Sequence, residues 1–265
     1  MRNDGTVAAE SFNHREHWET QGKLPNAQRN DERSMKKAFP ILGVLTAILL
    51  MYALYEALVG APTEQTMGNV QRIFYYHVPS AWTAFILFFI NFGASIFYLI
   101  KRNPAADIVA LVCAEVGVVF CTVVLITGPI WARPVWGIWW TWDMRLTSTL
   151  VLWLIYVSYL FLRRFSSSGE TPLLAAALAV LGALCVPFVY FSIWFFRTQH
   201  PQPVMGGGGS IDPRMLHVLL INWLAFSCFA FLVCWSRYRL EKLQREVDEA
   251  HAMESLLDPR GSVRR

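Results

Sequence analysis

Six uninterrupted apolar stretches, each close to the length that crosses a bilayer, leave this chain little choice of architecture. They lie at about 39–60, 81–100, 106–127, 146–162, 172–196 and 215–235. A hydrocarbon core takes about 20 helical residues to span, so the fourth stretch is on the short side. Lipid offers no partner for backbone N–H and C=O groups, which leaves only helices and closed barrels as spanning structures. The stretches are continuous and lack the period-two alternation of a barrel strand, which selects helices. Charged residues make up only 16% of the chain, against about 25% in ordinary soluble domains. The predicted fold is all-α: a polytopic membrane protein with six transmembrane helices. Pro187, inside the fifth stretch, predicts a kink there.

Basic residues near the span ends orient the chain. Arg29, Arg33, Lys36 and Lys37 precede the first span, Lys101 and Arg102 join the second to the third, and Arg163 and Arg164 join the fourth to the fifth. Arg237, Arg239, Lys242 and Arg245 follow the sixth, while the other three loops hold Arg72, Arg133, Arg145, Arg197 and Arg214. The positive-inside rule therefore places both termini in the cytoplasm and loops 61–80, 128–145 and 197–214 outside. With a net charge of +4, these residues read as topology signals rather than as a nucleic-acid surface. Three regions follow. Residues 1–37 form a polar cytoplasmic tail, read as disordered and without a signal-peptide pattern. Residues 38–236 form the six-helix membrane domain, and residues 237–265 form a cytoplasmic extension, with helical charge spacing over 237–256 that continues the last helix.

The distinctive chemistry falls on the outer loops. Between Trp131 and Arg145 the chain reads W-A-R-P-V-W-G-I-W-W-T-W-D-M-R, with five of its eleven tryptophans in that stretch. A membrane anchor belt spreads its indoles over many helix ends. Here Trp136, Trp139 and Trp140 have i, i+3, i+4 spacing and, with Asp143, share one face if the segment is helical. Pro129 and Pro134 break up its start, and the predicted geometry is a short amphipathic helix in the membrane plane. Asp143 is also placed to N-cap the fourth helix. His77, in R-I-F-Y-Y-H-V-P, stands at the mouth of the second span, and His200, in R-T-Q-H-P-Q-P, lies just beyond the fifth. Two imidazoles, a group of indoles and outward arginines suit a porphyrin: axial nitrogens, packing rings and guanidiniums for propionates. His217, within the sixth stretch and about one turn deeper than His200, is a rival ligand to it.

Other features carry less. Glu115, alone in the third span, is an intramembrane carboxylate expected to line a cavity or bond across helices. Cys113, Cys121, Cys185, Cys228 and Cys234 all lie inside apolar stretches without C-x-x-C spacing, so neither a disulfide framework nor a zinc site is expected. His14 and His17 sit in the polar tail and are given no role. Gly206 to Gly209 form a flexible hinge after His200. The chain has no phosphate-binding G-x-x-x-x-G-K-S/T, no H-E-x-x-H and no G-x-S-x-G, so ATP hydrolysis by the first route is excluded.

W-G-I-W-W-T-W-D-M-R-L-T-S, Trp136 to Ser148, resembles the tryptophan-rich WWD signature of the haem-handling proteins of cytochrome c biogenesis. Within that superfamily (CcmC, CcmF and CcsA) the chain is similar to the cytochrome c maturation protein C, or haem exporter protein C, family. The likeness covers most of 39–236, including Y-H-V-P at Tyr76 to Pro79, the lead-in from Gly128 to Trp136, His200-Pro201, and S-I-D-P-R-M at Ser210 to Met215.

The resemblance implies a haem-binding protein of the bacterial inner membrane, which holds b-type haem non-covalently at its outer face. His77 and His200 are then the axial ligands. Trp136, Trp139, Trp140, Trp142 and Asp143 form the platform, and Arg145 lies within the signature. Arg133, Arg72 and Arg197 are propionate candidates on charge and position. Implied partners are an ABC transporter made of an ATPase and a second membrane subunit, a small single-span helper, and a periplasmic haem chaperone to which haem becomes covalently attached. The protein is then a carrier rather than an enzyme in the ordinary sense. Two other readings stand beside this one. One is a subunit of a haem–apocytochrome c ligation enzyme, for which six spans are few. The other is a haem-free structural transporter subunit with a tryptophan belt.

Overall fold

The computed structural model describes residues 26–166, 168–196, 198–202 and 211–257, with side chains from 38 to 255 within these ranges. His14, His17, Arg197 and Gly206 to Gly209 lie outside the described residues. The elements are α1 (Asn26–Tyr55), continued by a wider turn at Glu56–Gly60, a short tight helix at Asn69–Ile73, α2 (Phe74–Lys101), α3 (Pro104–Trp136), α4 (Met144–Phe165), α5 (Thr171–Phe195) and α6 (Pro213–Leu257). There is no strand among the described residues. Among the described residues six helices are long and apolar enough to cross a membrane, and the protein is an all-α, multi-pass membrane protein.

The helix ends depart from the apolar stretches in ways that matter. The helical backbone of α1 starts at Asn26, inside the polar segment. Helix α2 starts at Phe74, so His77 belongs to its first turn rather than to the loop before it. Helix α4, at 22 residues, is of full spanning length. Helix α6 runs unbroken for 45 residues, carrying the charged extension as a continuation of the last span, as its charge spacing predicted. Helix α5 continues through Pro187. The expected break at Pro129 and Pro134 does not occur, because α3 runs through both to Trp136. Its 33 residues make it about 50 Å long.

Tight local chemistry fixes the α2–α3 corner. Arg102 caps α2 in the left-handed region at φ 53°, its N–H donating to the Tyr98 carbonyl. Asn103 then N-caps α3 by accepting from the N–H groups of Ala105 and Ala106, with Pro104 at the first helical position. A side-chain cap followed by a proline that lacks the unneeded donor is a strong helix start.

Small residues let the helices approach. Phe88 of α2 stacks on Tyr156 of α4 with ring centroids 3.8 Å apart. A Cβ at Gly117 of α3 would come within 2.7 Å of Phe88, and one at Gly182 of α5 within 3.0 Å of Tyr156. The stacked pair is therefore held between two glycines, the means by which helices pack closely where lipid supplies no hydrophobic drive. Polar bonds tie the same bundle: Asn91 donates to the Ala110 carbonyl at 2.7 Å, and the Trp153 indole donates to Thr122 at 2.8 Å.

Ion pairs gather at the end where Arg163 and Arg237 lie. Asp107, 3% exposed, receives both Arg163 guanidinium nitrogens at 2.6 and 2.7 Å and one from Arg245 at 2.9 Å. Arg245 also binds Glu241 at 3.0 Å. Glu115 takes Arg237 in a two-pronged pair at 2.8 and 2.9 Å. Bonding across helices is what an intramembrane carboxylate requires, and the partner comes from just beyond the last apolar stretch.

Candidate haem-binding site

At the opposite end, two imidazoles meet. His77 on α2 and His200, after α5, have ring centroids 6.4 Å apart and planes inclined at 35°. Each is only partly exposed. Hydrogen bonding sets how each ring is presented. The Nδ1 of His77 faces the Thr127 hydroxyl of α3 at 2.9 Å, and the Nδ1 of His200 faces the Pro201 carbonyl at 2.9 Å. A carbonyl only accepts, so His200 carries its proton on Nδ1 and keeps its Nε2 lone pair free. Burial pushes the His200 imidazole down to about 4; the Arg145 charge adds to this, while the Pro201 carbonyl and Asp143 oppose it. His200 is therefore neutral across the physiological range, the form that binds a metal.

Asp143 organises the loop that carries His200. One carboxylate oxygen accepts from Leu146 N–H at 3.0 Å, which makes Asp143 the N-cap of α4, as predicted. The other accepts from the Thr198 hydroxyl at 2.8 Å, Gln199 N–H at 3.3 Å and the Thr141 hydroxyl at 3.2 Å. The His200 N–H in turn donates to Thr198 Oγ1 at 3.1 Å. Two loops far apart in sequence are thereby hung from one carboxylate. Burial alone would raise the Asp143 carboxyl, but its four hydrogen bonds outweigh that and hold it below the ordinary carboxylate range.

The tryptophans do not form the flat helical face expected from their spacing. Gly137 ends α3 at φ +79°, a conformation that suits glycine. Residues between it and Met144 are not helical. Trp136 instead meets Trp131 edge-on at 5.3 Å, and Trp140 meets Trp142 edge-on at 5.8 Å. Trp139 and Trp142 remain 59% and 76% exposed. The Trp140 indole N–H and the Thr147 hydroxyl are buried without a protein partner. The rings thus meet edge-on in two pairs, with Trp139 and Trp142 exposed, rather than sharing one helical face.

The arginines divide. Arg145 of α4 points inward and donates to the Val189 and Tyr190 carbonyls near the end of α5, at 3.3 and 3.2 Å. Arg133 is exposed and donates to the Gly137 carbonyl, closing the end of α3. Arg72 spends its donors on the Ala57 and Ala61 carbonyls at 2.8 and 3.3 Å, with longer bonds to Asn69 and Thr63. It fastens the end of the first span rather than offering a free cation. His217 is exposed and lines a groove with Glu56, Gly60 and Arg214. Thr127 and Thr198, which stand behind the two histidines, escaped sequence reading: a hydroxyl beside an apolar run or in a loop gives no signal until its partner arrives.

Comparison with known proteins points the same way. The profile of the family described as Heme exporter protein C matches residues 23–253. The chain is 35% identical to the Heme exporter protein C of Bradyrhizobium diazoefficiens over 83% of this chain and 84% of that one. It is 31% identical to the protein of the same name from Escherichia coli, over 77% and 82%. A ccmC-like mitochondrial protein of cytochrome c biosynthesis from Marchantia polymorpha is 32% identical over 69% of this chain and 78% of its own.

Proposed function

The chain belongs to the haem exporter protein C family, a multi-pass membrane protein of haem export in cytochrome c biogenesis, and from that premise we propose that it holds haem between His77 and His200 and hands it on. The observation that carries this reading is the pair of imidazoles. Two histidines ligating one iron from opposite sides, each at about 2.0 Å, put their ring centroids roughly 6 Å apart. The two rings stand at 6.4 Å, and His200 keeps Nε2 free for a metal. The partnerless Trp140 N–H and Thr147 hydroxyl supply donors for an anionic edge of the cargo.

Haem is cargo here, bound non-covalently as b-type haem and passed on. Neutral imidazoles give the iron two good ligands without a charge that must be neutralised. The edges of Trp136, Trp139, Trp140 and Trp142 pack beside the ring, while the exposure of Trp139 and Trp142 leaves the site open to a receiver. Arg133, on the exposed side, is placed to meet a propionate. Arg145 and Asp143 hold the loops in place. The receiver is a haem chaperone outside the inner membrane, and both chain termini lie in the cytoplasm. An ABC transporter, an ATPase with a second membrane subunit, and a small single-span helper work beside the chain, which has no phosphate-binding loop of its own. The cytoplasmic extension and the polar tail flank the membrane domain.

Purified protein should show the Soret and α bands of low-spin bis-histidine haem. The double variant His77→Ala, His200→Ala should lose them while remaining folded. Unchanged haem content and spectrum in that variant would overturn the axial assignment.

A further inference from the structure

We propose that Thr127 is a positioning residue that fixes the tautomer of His77 and so sets how strongly its Nε2 donates to haem iron. The inference rests on the axial reading of His77. A threonine hydroxyl has one proton. That of Thr127 is committed along its own helix, to the Val123 carbonyl at 2.7 Å, with the Val124 carbonyl at 3.4 Å. With its proton spent, the oxygen faces His77 Nδ1 at 2.9 Å only as an acceptor. Nδ1 must therefore carry the hydrogen, and the lone pair of the ring sits on Nε2. The other tautomer would set a nitrogen lone pair against an oxygen lone pair.

The helix that carries Thr127 also walls the ring. A Cβ at Gly128 would stand 3.5 Å from His77 Cε1, so the α3 backbone lies alongside the imidazole. His77 is thus fixed at an atom and along an edge by one rigid helix. His200 has a different anchor, its own loop, through the Pro201 carbonyl and Thr198. An acceptor on the remote nitrogen of a ligating histidine raises the basicity of the bound nitrogen and holds the ring in place, and its loss typically costs about 10–100-fold in metal affinity.

Thr127→Val keeps the shape and removes the acceptor. In haem-free protein with 15N-labelled histidine, the His77 ring signals should move from the Nδ1–H tautomer to a mixture. In haem-loaded protein, haem transfer to apomyoglobin should become about 10–100-fold faster. The reduction potential should become more positive, because a less electron-rich imidazole favours ferric iron less. Thr127→Ser, which keeps the hydroxyl, should restore all three, and Thr127→Ala repeats the test should valine disturb the fold. His77→Ala separates this inference from the site itself. If His77→Ala keeps a bis-histidine spectrum, the axial reading fails. If His77→Ala loses haem while Thr127→Val matches the parent protein in tautomer, off-rate and potential, the role of Thr127 alone is overturned.

Discussion

The two ends of the bundle solve the problem of polar groups in an apolar protein in opposite ways. At the basic end, three carboxylates (Asp107, Glu115 and Glu241) and three guanidiniums (Arg163, Arg237 and Arg245) pair with one another. At the histidine end the charges are not paired in the same way: Arg145 donates to backbone carbonyls, the Asp143 carboxylate accepts from hydroxyls and backbone N–H groups, and valence is left over. His200 keeps a lone pair, Trp140 and Thr147 keep donors, and two tryptophans stay exposed. Mutual satisfaction makes a scaffold, while residual valence makes a place for a ligand.

Breaking the ionic end should have the largest effect on folding and the least on haem. Asp107→Ala leaves Arg163, whose side chain is 9% exposed, without its counter-ion, and should cost about 3–5 kcal/mol. Thermal unfolding in detergent measures this, and haem bound per folded molecule should not change. A parallel loss of haem affinity in the folded fraction would break the division between the ends. Asp143→Ala sharpens it from the other side. Loss of the α4 cap should cost about 1–2 kcal/mol, and releasing Thr198 and Gln199 should weaken haem binding, read by titration, more than the stability loss explains.

Glu115→Gln tests how far the scaffold depends on burial rather than pairing. Glu115 and Arg237 are about a third exposed, so this change should cost at most about 1 kcal/mol despite good geometry. The smallest effect concerns pH. The Asp143 carboxyl is held below its ordinary range, so the clasp contributes stability fully above the unfolded carboxylate pKa and loses it only as pH falls through the lower, folded value. Tryptophan fluorescence of the loop should be flat from pH 8 to about pH 5 and change only below about pH 4.

Much of the fold was legible because lipid allows so few structures: six apolar runs had to be six helices. The ends of those helices were not. Proline reads as a breaker in water, but α3 crosses Pro129 and Pro134. Membrane helices tolerate the lost bonds because side-chain hydroxyls and neighbouring helices take up freed groups. The tryptophan spacing suggested a helical face, but Gly137 at positive φ ended the helix first. His77 and His200 were legible as residues of one face, and Asp143 as a cap. That Asp143 also holds the His200 loop depends on Thr198, 55 residues away, and no local pattern records such a pairing. Glu115 was legible as a group in need of a partner, while Arg237 read only as part of a charged extension.

One helix, α3, carries Asp107 near its start and Thr127 near its other end. Twenty residues of helix make a rod of about 30 Å, close to the thickness of a bilayer's hydrocarbon. The level of the histidine pair above the ionic anchor is thus a fixed length, and the membrane must come to terms with it. Thinner lipids leave the pair standing clear of the hydrocarbon and thicker ones draw it under, each mismatch costing fractions of a kcal/mol per Å. If the pair holds haem as proposed, acyl-chain length should then alter how far it is presented to the aqueous side.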